Sequence, residues 1–353
     1  MENKVQGIES LKGFFFSLIA VIIALLVGVL FAIVSGGSFL NTLKALYMGS
    51  LGTKLGLAAT LNNTVPLIFT GLAVALPFKA GLFNIGGAGQ MYIGAIGAVI
   101  VGLYLNLPAI IEIPLAFLIG IIFGAFWGFI PGYLKAKAGV HEVINTIMMN
   151  YIAIYFVRYL VSNGPLNGMI GTARTKIIHK SAQLPILWNF PINPVSAGIL
   201  FAIALSFIFY WLLENTSIGF ELKATGQNQK AASYTGINVN KNIVIAMVLG
   251  GIAAGLGGVC FTLGQTHFVS NDFPVEMAFT GIAVALLGRN NPFGVIPAAL
   301  LFGALQASNL QLQLYANVPK DVVNIMQGVV ILFVAMDRII PELLAKRARR
   351  KNK

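Results

Sequence analysis

The polar side chains that interrupt the apolar stretches of this sequence are mostly amides: Asn62 and Asn63 beside Thr64, then Asn84 and Gln90, then Asn145 and Asn150. A carboxamide both donates and accepts hydrogen bonds. Such a set can hold an uncharged, hydroxyl-rich solute, or it can tie one helix to the next. Asn63, Asn84, Gln90, Asn145 and Asn150 are the candidates for a solute pathway on that ground. A proton or ion relay would need ionisable groups near the middle of a bilayer, where they are costly and therefore informative. Here Glu112, Glu142, Asp272, Glu276 and Asp337 all fall near the ends of apolar stretches. His141, His179 and His267 lie in or beside loops with no partner at metal-ligand spacing, so neither a metal site nor a catalytic residue is expected. No G-x-x-x-x-G-K-[ST] phosphate loop occurs, so any ATP must act through another chain.

The elements that position these amides are set by composition. Of 353 residues, 57% are hydrophobic and 10% charged, more apolar surface than one soluble core can hide. A hydrocarbon core about 30 Å thick takes roughly 20 apolar residues per helix, which gives about ten spans. They cover residues 14–34, 57–78, 82–105, 112–134, 143–161, 195–213, 242–264, 274–289, 293–310 and 322–340. The fold class is therefore all-α, a polytopic membrane protein with both termini cytoplasmic. With the N-terminus inside, only Lys44, Lys54, Arg158, Arg174, Lys176, Lys180 and Lys320 of the 23 basic residues fall outside, in keeping with the positive-inside rule. The net charge of +12 is spread over short loops and the tail from Lys346 to Lys353, which suits anionic lipid headgroups and not nucleic acid. The first apolar run is longer than the h-region of a signal peptide and is kept as a span. Cys260, the sole cysteine, sits in an apolar run as a small hydrophobe and excludes an internal disulfide.

No composition break divides residues 1–353, which read as one transmembrane domain with an extracytoplasmic loop at 162–194 and a cytoplasmic loop at 215–241. The outer loop, with Pro165, Pro185, Pro191 and Pro194, should be irregular with at most a short helix. GLAVAL at Gly71–Leu76 is echoed by GIAVAL at Gly281–Leu286, a hint of internal duplication. Small residues recur every fourth position at Gly120, Gly124, Gly128 and Gly132, at Gly94, Ala98 and Gly102, and at Gly250, Ala254 and Gly258. Such stripes let helix backbones approach closely, and packing within the subunit is the expected use. Gly86, Gly87 and Gly89 would each weaken a helix by roughly 1 kcal/mol relative to alanine, so the predicted third span should bend, pack closely or meet a solute there.

The cytoplasmic loop carries its own local signals. Asn228 is a good N-cap, Gln229–Thr235 can form about two turns, and Gly236 can close them in a left-handed conformation. Ala231 and Ala232, with Tyr234 and Thr235, would leave a low-relief face flanked by Lys230, suited to a groove on a soluble partner.

Four segments, in order, resemble the membrane subunits of ATP-driven importers in the branched-chain amino acid and ribose permease group. LFNIGGAGQMYIGA at Leu82–Ala95 looks like their NIG-x-EGQ signature, with Ala88 in place of glutamate. GVHEVINTIMMNYIA at Gly139–Ala153 resembles N-E-V-I-x-T-I-M-L-N-Y, with His141 in place of asparagine. ATGQNQKAASYTGI at Ala224–Ile237 and GIAVALLGRNNPFG at Gly281–Gly294 resemble two further elements of the group. The resemblance implies a permease of the bacterial cytoplasmic membrane, paired with a second permease, two cytoplasmic ATPase subunits that bind ATP and Mg, and an extracytoplasmic solute-binding protein. It implies no cofactor on this chain. It also implies that Gly226, Asn228, Lys230, Ala231, Ala232, Tyr234 and Gly236 form the element that couples to the ATPase. The NIG and N-E-V-I patterns lean toward a nucleoside as cargo, with ribose-like sugars next. A secondary transporter or channel is the alternative, against which the scarcity of mid-membrane carboxylates stands.

Overall fold

Long apolar runs in a bilayer satisfy their own backbone groups as helices, and helices are nearly all that forms. The computed structural model describes residues 22–23, 26–168, 171–190, 192–274, 276–319 and 321–332. About half of the first predicted span, the end of the last and the basic tail lie outside the described residues. Helix α1 covers residues 26–34, followed by α2 (Phe39–Ser50), α3 (Lys54–Lys79), α4 (Gly87–Tyr104), α5 (Ala109–Ala138) and α6 (Glu142–Ser162). After the outer loop come α7 (Gly198–Asn215), α8 (Ser217–Gln227), α9 (Gln229–Tyr234), α10 (Val239–Phe261), α11 (Glu276–Leu287), α12 (Pro292–Ala307), α13 (Asn309–Ala316) and α14 (Asp321–Leu332).

Seven helices among the described residues are long and apolar enough to cross a membrane, against the ten expected. The predicted span 274–289 yields a helix of only 12 residues, α11, and the described part of the predicted span 322–340 is helical, as α14. Two short helices, α2 and α13, were not expected, because a rule built on runs of about 20 residues is blind to them. The outer loop is irregular as expected, with one turn of 3-10 helix at Lys180–Ala182, and adds a strand pair. Strand β1 (Ile186–Trp188) runs antiparallel to β2 (Val195–Ser196).

The chain forms two units, residues 61–303 and a second made of residues 1–60 with 304–353. The described part of the second unit has its own core, in which Ala32, Ala45, Leu312, Val323 and Met326 are buried together. In the larger unit α10 is the axis. A methyl group added at Gly124 would overlap the Gly251 carbonyl oxygen, one at Gly128 the Met247 carbonyl, and one at Gly120 the Val259 side chain. Gly132 faces Met247 on the same helix, so the whole α5 stripe packs inside the subunit. The α4 side closes in the same way, with Gly94 against Gly255 and Gly258 against the Met91 carbonyl. Without a hydrophobic drive between helices in lipid, this backbone approach is what van der Waals cohesion requires.

The two hexads that hinted at duplication face each other. Gly71 abuts Val284 and Val295, and Gly281 abuts Thr70, so each glycine of the pair admits the other segment.

Gly124→Ala should lower stability by about 1–3 kcal/mol, the usual cost of overpacking a filled contact. Gly328, with nothing among the described residues within 4 Å of an added methyl, provides the control: Gly328→Ala should not lower the unfolding midpoint of the detergent-purified protein.

Candidate functional site

Helix α3 carries two internal prolines, Pro66 and Pro77. Each lacks an N–H and so frees the carbonyl four residues earlier, at Asn62 and at Ala73. Inside a membrane that carbonyl needs another donor. Both receive one from an amide side chain. Gln265 Nε2 donates to the Asn62 carbonyl at 2.8 Å, and Asn84 Nδ2 donates to the Ala73 carbonyl at 3.0 Å.

The inner staple organises the NIG segment. Residues 82–85 are not helical, and α4 begins only at Gly87, five residues later than the predicted span. Asn84 uses its whole hydrogen-bonding capacity to hold this break. Besides Ala73 it donates to Gln90 Oε1 at 3.0 Å, and its Oδ1 accepts from Gly86 N at 3.0 Å and from Gln90 Nε2 at 3.3 Å. Asn150, reaching across from α6, accepts from Gly89 N at 2.8 Å and donates to the Ile85 carbonyl at 2.8 Å. Gly89 N is one of the donors that the first turn of a helix leaves without a partner, so Asn150 caps α4 from a neighbouring helix. Thr146 Oγ1 accepts from Ile85 N at 3.4 Å. The glycines fit the same purpose: a side chain at Gly89 would press on Asn150 and Ala153 at 3.0–3.1 Å.

Of the five pathway candidates, the structure therefore brings Asn84, Gln90 and Asn150 together, buried and bonded to the protein itself. In this conformation they shape the break and do not offer free groups to a solute. Asn145 is also buried and donates only weakly, to the Pro131 carbonyl at 3.4 Å. Asn63 stands apart from the network, half-buried, with no side-chain hydrogen bond among the described residues. Its neighbour Asn62 is tied to Asn193 Oδ1 at 2.8 Å and to the Pro194 carbonyl at 3.0 Å in the outer loop.

Sequence reasoning missed Gln265, Thr146 and the carbonyls of Asn62 and Ala73. The available signal was a proline four residues after each carbonyl. Gln265 belongs to a π-helical turn, Thr262–Thr266, that ends α10 and is closed by His267 at φ 62°. Burial holds the His267 imidazole below its ordinary range, although its backbone hydrogen bond with Leu263 acts the other way.

On the polar loop at 215–241 the local signals are realised. Asn228 Oδ1 accepts from Lys230 N at 3.0 Å and Ala231 N at 3.1 Å, and Gly236 ends the turn at φ 85°. Helix α9 stops at Tyr234, one residue earlier than expected, with Thr235 as its C-cap. Lys230, Ala231 and Tyr234 are exposed, Tyr234 to 92%. Ala232 departs from the expected face: it is buried, and its carbonyl accepts from Ile237 N at 3.0 Å. Helix α8 anchors the pair. Thr216 caps it by accepting from Gly219 N at 3.2 Å, and Glu221 Oε2 accepts from Asn242 Nδ2 of α10 at 3.1 Å.

The sequence pattern of the permease component of the branched-chain amino acid transport system matches residues 56–335. The chain belongs to that permease family. The permease is 41% identical to the guanosine ABC transporter permease protein NupP of Bacillus subtilis, over 93% of this chain and 95% of the relative. It is 35% identical to the nucleoside ABC transporter permease protein NupB of Lactococcus lactis, over 93% and 92%. It is 36% identical to the glucose ABC transporter permease protein TsgB13 of Haloferax volcanii, over 82% and 78%. The break before α4 and the capped α9 both fall within the family match.

Asn84→Ala in this permease leaves the Ala73 carbonyl and Gly86 N without partners, at about 1–3 kcal/mol for each unsatisfied buried group. The unfolding midpoint should fall clearly. Asn63→Ala should shift stability by no more than about 0.5 kcal/mol.

Proposed function

We propose that this permease is the membrane subunit of an ABC-type importer for nucleosides. The observation that carries the reading is identity of 41% and 35%, each over 93% of the chain, to permeases named for guanosine and nucleoside transport. The full assembly would hold about ten spans per permease with both termini cytoplasmic, in a bacterial cytoplasmic membrane. Its partners would be a second permease subunit, two ATPase subunits that bind ATP and Mg, and an extracytoplasmic solute-binding protein.

The mechanism follows from two pieces of geometry. Helix α9 presents Lys230, Ala231 and Tyr234 outward from a capped, anchored base, a surface a groove on a soluble ATPase can grip. ATP-driven closure of the ATPase pair would move α9 and shift the population between inward-open and outward-open states. On the solute side, Asn63 is the pathway amide left uncommitted, able to bond the hydroxyl or carbonyl groups of an uncharged nucleoside. Glu142 is not free to serve an ion-coupled route, since it is paired with Lys135 at 2.8 Å at the start of α6.

The test is uptake into vesicles holding the permease with its co-purifying subunits. ATP-dependent uptake of guanosine or another nucleoside is expected, with ribose and glucose competing poorly. Preference for glucose would transfer the reading to simple sugars, and uptake without any ATPase would overturn it. Ala231→Glu places a charge on the docking face and should cut uptake about 10-fold, within the usual range of coupling energies, while the permease still folds.

A further inference from the structure

The cytoplasmic hairpin and the break before α4 meet through backbone alone. Gly226, the penultimate residue of α8, lies so close to the end of α3 that an added methyl would overlap the Lys79 carbonyl oxygen and stand 2.9 Å from Gly81 N. The reciprocal position is equally bare: Gly81, at φ 75°, would place a methyl 3.3 Å from Gly226 Cα and 3.4 Å from its carbonyl oxygen. No side chain separates the two turns. The Lys79–Leu82 turn is itself stiff, since Ala80 N and Leu82 N both donate to the Pro77 carbonyl at 3.0 Å and Gly81 N donates to that of Phe78 at 3.1 Å. Two residues beyond Leu82 is Asn84, which staples back to Ala73 on the far side of Pro77.

We propose that Gly226 and Gly81 form the joint through which movement of α9 reaches the Pro77–Asn84 staple, so that the break before α4 is the part of the permease that the ATPase acts on. The proposal rests on the reading of α9 as the docking element. Three features give it its direction. Helix α9 is bound to α8 by the Asn228 cap, so the pair moves together. A backbone contact has no rotamer that can yield, and close-packed atoms pass displacement on. The receiving end is suited to two arrangements: four hydrogen bonds converge on Asn84, and its neighbours Gln90 and Asn150 are amides that can exchange partners when the segment turns. Gly250 of α10 also closes on this point, 2.8 Å from the Ala73 carbonyl and 2.9 Å from Asn84 Nδ2 for an added methyl, so a shift there is felt by the central helix.

The experiment is hydrogen–deuterium exchange of the complete importer in vesicles, comparing ADP with a non-hydrolysable ATP analogue. In the wild type the amides from Ile85 to Gly89 should change their exchange rate about 10-fold between nucleotides, as a local opening equilibrium shifts. In Gly226→Ala, where the added methyl meets the end of α3 and the outward Lys230, Ala231 and Tyr234 are unchanged, the ATPase subunits should still co-purify and hydrolyse ATP, but the nucleotide response of Ile85–Gly89 should be lost and ATP consumed per solute moved should rise about 10-fold. A merely structural contact would lower assembly and leave that ratio unchanged. The proposal is overturned if the wild-type segment ignores the nucleotide while α9 responds, or if Gly226→Ala keeps both the response and the ratio. Should Gly226→Ala fail to assemble, the wild-type exchange decides by itself. If no ATPase co-purifies with the wild type, the docking reading falls, and the joint with it.

Discussion

A carbonyl freed by proline inside a membrane is the constraint on which the larger unit depends. Pro77 cannot donate to Ala73, lipid cannot supply a donor, and an unsatisfied carbonyl there would cost several kcal/mol. Asn84 meets that need, and to do so the chain must turn back immediately after α3. That turn makes α4 begin late, puts Gly89 N within reach of Asn150 on α6, and fixes the glycines that let these groups meet. The same solution recurs at the other end of α3, where Gln265 on the π-helical turn satisfies Asn62. One helix with two prolines thereby determines the geometry of two irregular segments on its neighbours.

Around these staples the packing is held by small residues. The close approach of α10 to α4 and α5 leaves no room for a β-carbon at Gly124, Gly128, Gly258 or Gly94. Polar staples and bare backbones serve complementary ends. The first make the breaks possible in an apolar medium, and the second bring the helices near enough for short amide side chains to reach across. The α8–α9 hairpin uses the same device where Gly226 meets Lys79. A permease that must change shape thus places its irregular segments where side chains, and not helix geometry, complete the hydrogen bonding.

The helical class, the caps of α9 and the internal use of the glycine stripes were legible in the residues, because each depends on local chemistry or on a period along one helix. Asn228 and Gly236 do what their types favour. The pathway reading of the amides fared differently. Asn84, Gln90 and Asn150 were legible as polar groups within apolar runs, but their saturation by partners up to 65 residues away was not. The burial of Ala232 was equally hidden, since an alanine in a six-residue helix fits either face. The expected count of ten helices rested on run length, and that rule passes over α2 and α13, which are shorter than a membrane is thick, and reads the 12-residue α11 as a full span.

The sequence by itself determined that the chain lives in a membrane, carries a capped polar hairpin, has no phosphate loop and resembles the permeases whose family it joins. These follow from composition and from contiguous motifs. Only the tertiary structure decided which amides are committed to the protein and which remains available, that the two similar hexads face one another, and that α8 touches the end of α3 without an intervening side chain. The reason is physical: a hydrogen bond to a freed carbonyl or a backbone contact between glycines is defined by distance in space, and neither residue's type reveals the partner.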